Sequence, residues 1–189
     1  MKITKSIFGK EGNDIDKFNE LDLDERSIVF YSESSVILYP YVEEIIRELQ
    51  NRDQKICYLT TSKHDPILKN ENKNIKVFYI GDSEIEKMKF FLRLKAKVLI
   101  MTMPDLGSYH IKRSKIFPVH YIYTFHSMNS THMDGTNYVR TSLFRKSTLD
   151  QFDSIFCVGK YQVQEIRATE ELYNLNKKNL AECGYGLLD

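Results

Sequence analysis

Short continuous apolar runs alternate along this chain with longer stretches in which apolar residues recur at helical spacing. The first run, Ser27-Ile28-Val29-Phe30-Tyr31, has the unbroken hydrophobicity of a strand covered on both faces. Pro40 then opens a pattern in which Tyr41, Val42, Ile45, Ile46 and Leu49 share one face of a helix. Lys55 to Thr60 and Ile75 to Ile80 read as the second and third strands. Ser83 with Glu86 forms a capping-box pattern ahead of a helix carrying Ile85, Met88, Phe91 and Leu92. Lys97 to Met101, Val119 to Phe125 and Ser154 to Val158 supply three more strands. A helix from about Tyr161 to Tyr173 precedes a last short apolar stretch, Ala181 to Tyr185. Strands interleaved with helices imply right-handed crossovers, and hence an α/β fold with a mainly parallel sheet flanked by helices. Residues 1–26 are polar and read as a loosely packed leader, with one domain over 27–189.

In sheets of this kind the ligand crevice lies beyond the carboxyl ends of the strands. Four polar segments are expected to converge there: Ser32-Glu33-Ser34, Thr61-Ser62-Lys63-His64-Asp65, Thr102-Met103-Pro104-Asp105 and His126-Ser127. From them Ser32, Glu33, Thr61, Ser62, Thr102 and Ser127 are candidate substrate-binding residues.

Four of the five histidines, His110, His120, His126 and His132, follow the fourth strand. Imidazole, with an unperturbed pKa of about 6.5, suits proton transfer near neutrality. Alternation places His120 with Ile122 and Thr124 on one sheet face, so His120 reads as a hydrogen-bonded core residue. His126 stands at the strand's end, where it serves either as a base or as a structural tie to the following loop. Tyr109 to Lys115 is the densest basic cluster, and Lys112 and Arg113 are candidates to hold a phosphorylated substrate or an anionic membrane surface, against the alternative of a solvated loop.

What is missing narrows the chemistry. The turn after the first strand has no Gly-x-Gly-x-x-Gly, and no Walker-type Gly-Lys-Ser or Gly-x-Ser-x-Gly elbow occurs. No common metal-ligand spacing is present, so neither a metal nor another cofactor is expected. Cys57, Cys157 and Cys183 are odd in number and widely spaced, two of them within apolar runs, which suits free thiols in a reducing compartment. A formal net charge of +1 suggests no general affinity for nucleic acid. With no secretory signal and no apolar run near the roughly 20 residues of a membrane span, a cytoplasmic location is expected, with surface attachment to a membrane left open.

Several of these blocks together carry a family resemblance. Phe30-Tyr31-Ser32-Glu33, Met101-Thr102-Met103-Pro104-Asp105-Leu106, Tyr109-His110-Ile111-Lys112-Arg113-Ser114, Phe125-His126-Ser127 and Gly184-Tyr185 with Asp189 resemble the amino-terminal half of the CDP-glycerol glycerophosphotransferases. These are the teichoic-acid and capsule polymerases and their relatives. The resemblance implies a Rossmann-like domain that forms the acceptor-side half of a GT-B architecture. It implies that His126 deprotonates an acceptor hydroxyl, which attacks the β-phosphorus of a CDP-alcohol and releases CMP, with Asp105 orienting the base or the acceptor. The implied partners are a polyol-phosphate or glycan acceptor, free or lipid-linked, and a CDP-alcohol donor held by a second domain. Because the sequence stops at Asp189, where that domain is expected, little catalysis by this chain alone is expected. Ser127 stands where many members have glycine, and Thr136 to Leu149 follows no pattern of the family. Two other readings remain: a non-catalytic binding or membrane-docking module of the same fold, and half of a sugar-nucleotide glycosyltransferase.

Overall fold

The computed structural model describes residues 12–33, 38–69, 74–104, 106–126, 131–134, 137–140 and 146–188, the segments 131–134 and 137–140 by backbone alone. Its centre is a seven-stranded sheet in which every pairing is parallel. In chain order the described elements are α1 (Ile15–Asn19), β1 (Ile28–Ser32), α2 (Tyr39–Asn51), β2 (Ile56–Thr60), a 3₁₀ turn (Pro66–Lys69), β3 (Ile75–Tyr79), α3 (Glu84–Leu92), β4 (Val98–Met101), β5 (His120–Thr124), β6 (Thr131–Asp134), β7 (Asn137–Arg140), α4 (Lys146–Leu149), β8 (Ser154–Cys157), α5 (Lys160–Tyr173) and β9 (Asn179–Glu182). The order across the sheet is β3-β2-β1-β4-β5-β8-β9. The chain winds outward from β1 to β3, returns across the sheet, and winds the other way from β4. This is the doubly wound Rossmann-like arrangement, whose switch point lies between β1 and β4.

Alternate residues of β1 divide between two cores, as a strand covered on both faces requires. Val29 and Tyr31 join the cluster that contains Phe18 of α1, Phe90 and Phe91 of α3 and Ile166 of α5. Phe30 joins the one built on Val42 and Ile46 of α2. The pattern expected for the first helix, from Pro40 onward, matches α2, with Pro40 in its first turn.

Three sequence expectations need correction, and one pair of strands was not anticipated. Residues 12–26 are less loose than their polarity suggests: Phe18 is fully buried against Phe78 and Phe90, and the backbone N–H groups of Asp14 and Tyr79 bind the carbonyl of Tyr79 and the carboxylate of Asp14 at 2.7 and 3.0 Å. On α3 the buried stripe is Lys87, Phe90 and Phe91, continued by Leu94, rather than the face of Ile85, which is 62% exposed. A lysine at an inward position hid the true period. The last strand lies two residues earlier than the apolar stretch suggested, because pairing with Ser154–Cys157 fixes β9 at Asn179–Glu182. Finally, β6 and β7 form an antiparallel pair, Thr131↔Arg140 to Asp134↔Asn137, in a stretch whose polarity gave no strand signal.

Candidate functional site

The carboxyl ends of β1, β2, β4 and β5 bring the expected segments to one rim, but they do different work there. Ser32 serves the fold: its hydroxyl accepts the backbone N–H of Leu38 at 3.0 Å, which sets the entry into α2. The segment after β2 is an internally bonded turn. Thr60 Oγ1 donates to Asp65 at 2.9 Å and accepts from the Ser62 N–H, the Ser62 hydroxyl accepts from the His64 N–H, and Asp65 Oδ1 accepts from Ile67. Thr61 joins this turn to β1 through its N–H to the Ser32 carbonyl. Thr102 is fully buried after β4. Asp105, Ser127 and Ser34 lie outside the described residues, as do the side chain of His132 and the end residue Asp189.

His126 stands just past β5, half-buried, with Nδ1 3.2 Å from the Thr102 carbonyl. A carbonyl only accepts, so this contact places the proton of the neutral ring on Nδ1 and leaves the lone pair on Nε2. A ring held in this tautomer is set up to receive a proton at Nε2. The ring also meets Tyr41 of α2 edge-on at 6.5 Å, and the Tyr185 hydroxyl donates to the His126 carbonyl at 3.1 Å. The short Gly184-Tyr185 motif thus acquires a role as a clasp over the His126 segment. Gly184 has φ +79°, and a Cβ at Gly186 would come within 2.5 Å of the Tyr41 carbonyl, so the chain approaches α2 there as only glycine allows. A small cavity of about 70 Å³ lies beside this clasp, lined by Tyr41, Thr124, Phe125, Phe156, Cys183 and Gly184 among others.

At the switch point itself the structure gathers a cluster that sequence reasoning only half found. Glu33 follows β1 directly and is nearly buried, and its Oε1 accepts His110 Nε2–H at 2.9 Å, with Lys87 Nζ at 3.7 Å. The three side chains are 7 to 14% exposed, although each comes from a different segment. The hydrogen bond to the carboxylate puts the neutral ring's proton on Nε2, and His110 Nδ1 is buried with no partner among the described residues. The Tyr31 hydroxyl is also buried and, among those residues, unpartnered; burial, with Glu33 nearby, raises its pKa well above the ordinary range. Buried charges persist only when compensated, so Lys87, Glu33 and His110 hold one another in place. The signal for Lys87 was available, because it lies three and four residues before Phe90 and Phe91 on the inward stripe of α3.

Within the basic cluster, Arg113 and Lys112 bond to the protein itself. Arg113 donates to the Gln151 carbonyl, pairs with Asp153 at 3.1 Å and lies over the Tyr121 ring at 4.4 Å. Lys112 Nζ donates to the Gly107 carbonyl at 2.8 Å. Arg113 therefore ties the β4–β5 connection to the segment before β8, whereas the Lys112 bond closes a turn within that connection. His120 Nε2 is 2.7 Å from the Ser154 hydroxyl, the satisfied core histidine expected for it. Cys57 and Cys157 are buried free thiols, and burial pushes each up to about 12, which suits inert thiols rather than nucleophiles.

Among the described residues no cluster of three or more His, Cys, Asp or Glu side chains is arranged to hold a metal, and no helix is long and apolar enough to cross a membrane. A scan against protein-family models finds no match, and a search of curated proteins finds none either.

Proposed function

We propose that this domain is the acceptor-side half of a GT-B-type transferase that moves a polyol phosphate from a CDP-alcohol to an acceptor hydroxyl in cell-surface polymer synthesis. The observation that supports the reading is the tautomer of His126, whose Nδ1–H on the Thr102 carbonyl leaves the Nε2 lone pair available at the rim. In the proposed step Nε2 takes the hydroxyl proton as the acceptor oxygen bonds to the β-phosphorus. The bond from that phosphorus to the bridging oxygen breaks, and CMP leaves. Positioning and charge stabilisation supply most of the remaining acceleration in such transfers. The donor, on this reading, is held by a second domain, and the reaction takes place on the cytoplasmic side of the membrane.

The test is CDP-glycerol turnover by the native full-length protein with and without His126→Ala. Loss of a general base lowers kcat by about 10²- to 10⁴-fold, and the unfolding midpoint is expected to hold. Undiminished turnover by the folded variant would remove His126 as the base.

A further inference from the structure

A cavity of about 610 Å³ lies along the flank formed by α1 and α3, away from the His126 rim. It reaches Arg26 and Lys95, which precede β1 and β4 and so belong to the amino edge of the sheet. Ile15, Phe90 and Ile116 give it an apolar lining, and the N–H of Lys115 on the Leu92 carbonyl at 3.0 Å brings Ile116 to its edge.

Its charge is lopsided. Arg26, Lys89, Arg93 and Lys95 line it against Asp16 and Glu86, an excess of two positive charges, and Glu86 already accepts from Asn13 at 3.0 Å. Lys89, Arg93 and Lys95 are exposed and have no ion-pair partner among the described residues. Arg26 is partly buried, its Nη1 donating to the Asn19 carbonyl at 3.2 Å, and its buried Nε has no partner among those residues. Cations near a helix carboxyl end offset the macrodipole, which accounts for Lys89 and Arg93. It does not account for Arg26 or Lys95, which lie off the helix, nor for an orphaned guanidinium N–H, which costs free energy until an acceptor arrives.

We infer that this groove binds a phosphate group, carried by a soluble ester or by a lipid headgroup. A phosphate carries up to two negative charges, matching the excess, and offers several acceptor oxygens to the two guanidinium forks. The Lys112–Arg113 segment, which by composition looked the better anion site, has its side chains committed to Gly107, Gln151 and Asp153. The inference stands apart from the role of His126.

The experiment uses the whole chain and two probes: inorganic phosphate, followed by backbone amide shifts, and phosphatidylglycerol–phosphatidylcholine vesicles, followed by flotation at low and high salt. The triple variant Lys89→Glu, Arg93→Glu, Lys95→Glu is compared with Lys146→Glu, Lys160→Glu, Lys177→Glu, an equal change of charge at exposed lysines elsewhere. The groove variant is expected to lose at least fivefold in binding to one or both probes, and the control less than twofold. Loss on phosphate assigns a soluble ester, and loss on vesicles alone assigns a headgroup. Absence of binding to either probe, or an equal loss in the control, would overturn the inference.

Discussion

Two histidines reach the same rim and are held in opposite ways. His110 gives its Nε2 proton to a nearly buried carboxylate backed by Lys87, and its other nitrogen faces the interior without a partner among the described residues. His126 gives its Nδ1 proton to a backbone carbonyl and, like His110, is partly buried. A carboxylate partner anchors a ring within a charge network and makes it part of the framework. A carbonyl partner fixes the tautomer while leaving the ring electrically uncommitted. His110 thus joins the loop after β4 to the carboxyl end of β1, whereas His126, on the reading proposed above, keeps its Nε2 for proton transfer.

This contrast can be broken at three points. The largest effect is expected from Lys87→Met, which leaves Glu33 buried with only His110 beside it. Removing one partner of a buried pair costs about 3 kcal/mol, read as a lower urea midpoint at unchanged m. Adding Glu33→Gln should recover part of that loss, and a double variant as unstable as the sum of the singles would show that the two charges are not coupled. Next, His110→Ala should destabilise by about 2 kcal/mol, the scale of a hydrogen bond to a charged group. His126→Ala should cost less than about 1 kcal/mol, since it gives up one neutral hydrogen bond in a half-open position. Equal losses in parallel urea titrations would erase the distinction between frame and chemistry. The smallest effect belongs to Tyr185→Phe, which removes the hydroxyl from the His126 carbonyl and should cost about 0.5 kcal/mol. Faster amide exchange confined to the neighbourhood of His126 would register it; unchanged exchange there would show that the clasp holds nothing.

Much of the fold could be read from the chain because β1, β2, β4 and β8 are continuous apolar runs that only a doubly covered sheet accommodates. The failures came where burial and polarity part company. Strand β9 is an edge strand with three of its four residues exposed, so its hydrophobic signal was too weak to fix the register. Lys87 was passed over because lysine normally marks a solvent face, and among the described residues its ion-pair partner is Glu33, 54 positions earlier in the chain. Arg113 misled in the other direction, since its composition suggested a free anion site while Asp153 and the Gln151 carbonyl, far along the chain, bind it. The places of Glu33 and His126 just beyond strand ends were legible. Their partners were not, because the partners are brought in by the winding of the sheet rather than by neighbouring sequence.

The clasp at Tyr185 also bears on when the site comes into being. During synthesis β1 to β5 emerge with His126 behind them, yet the residue that binds the His126 carbonyl lies 59 positions later. Until β9 has joined β8 and the glycine turn has closed on Tyr41, the His126 segment lacks one of its supports. Contacts of such long sequence separation form late and set the pace of folding. A ribosome-bound chain halted after β5 would therefore carry central strands available for pairing and a rim still unfinished, and the rim is completed only after β8, α5, β9 and Tyr185 have been made.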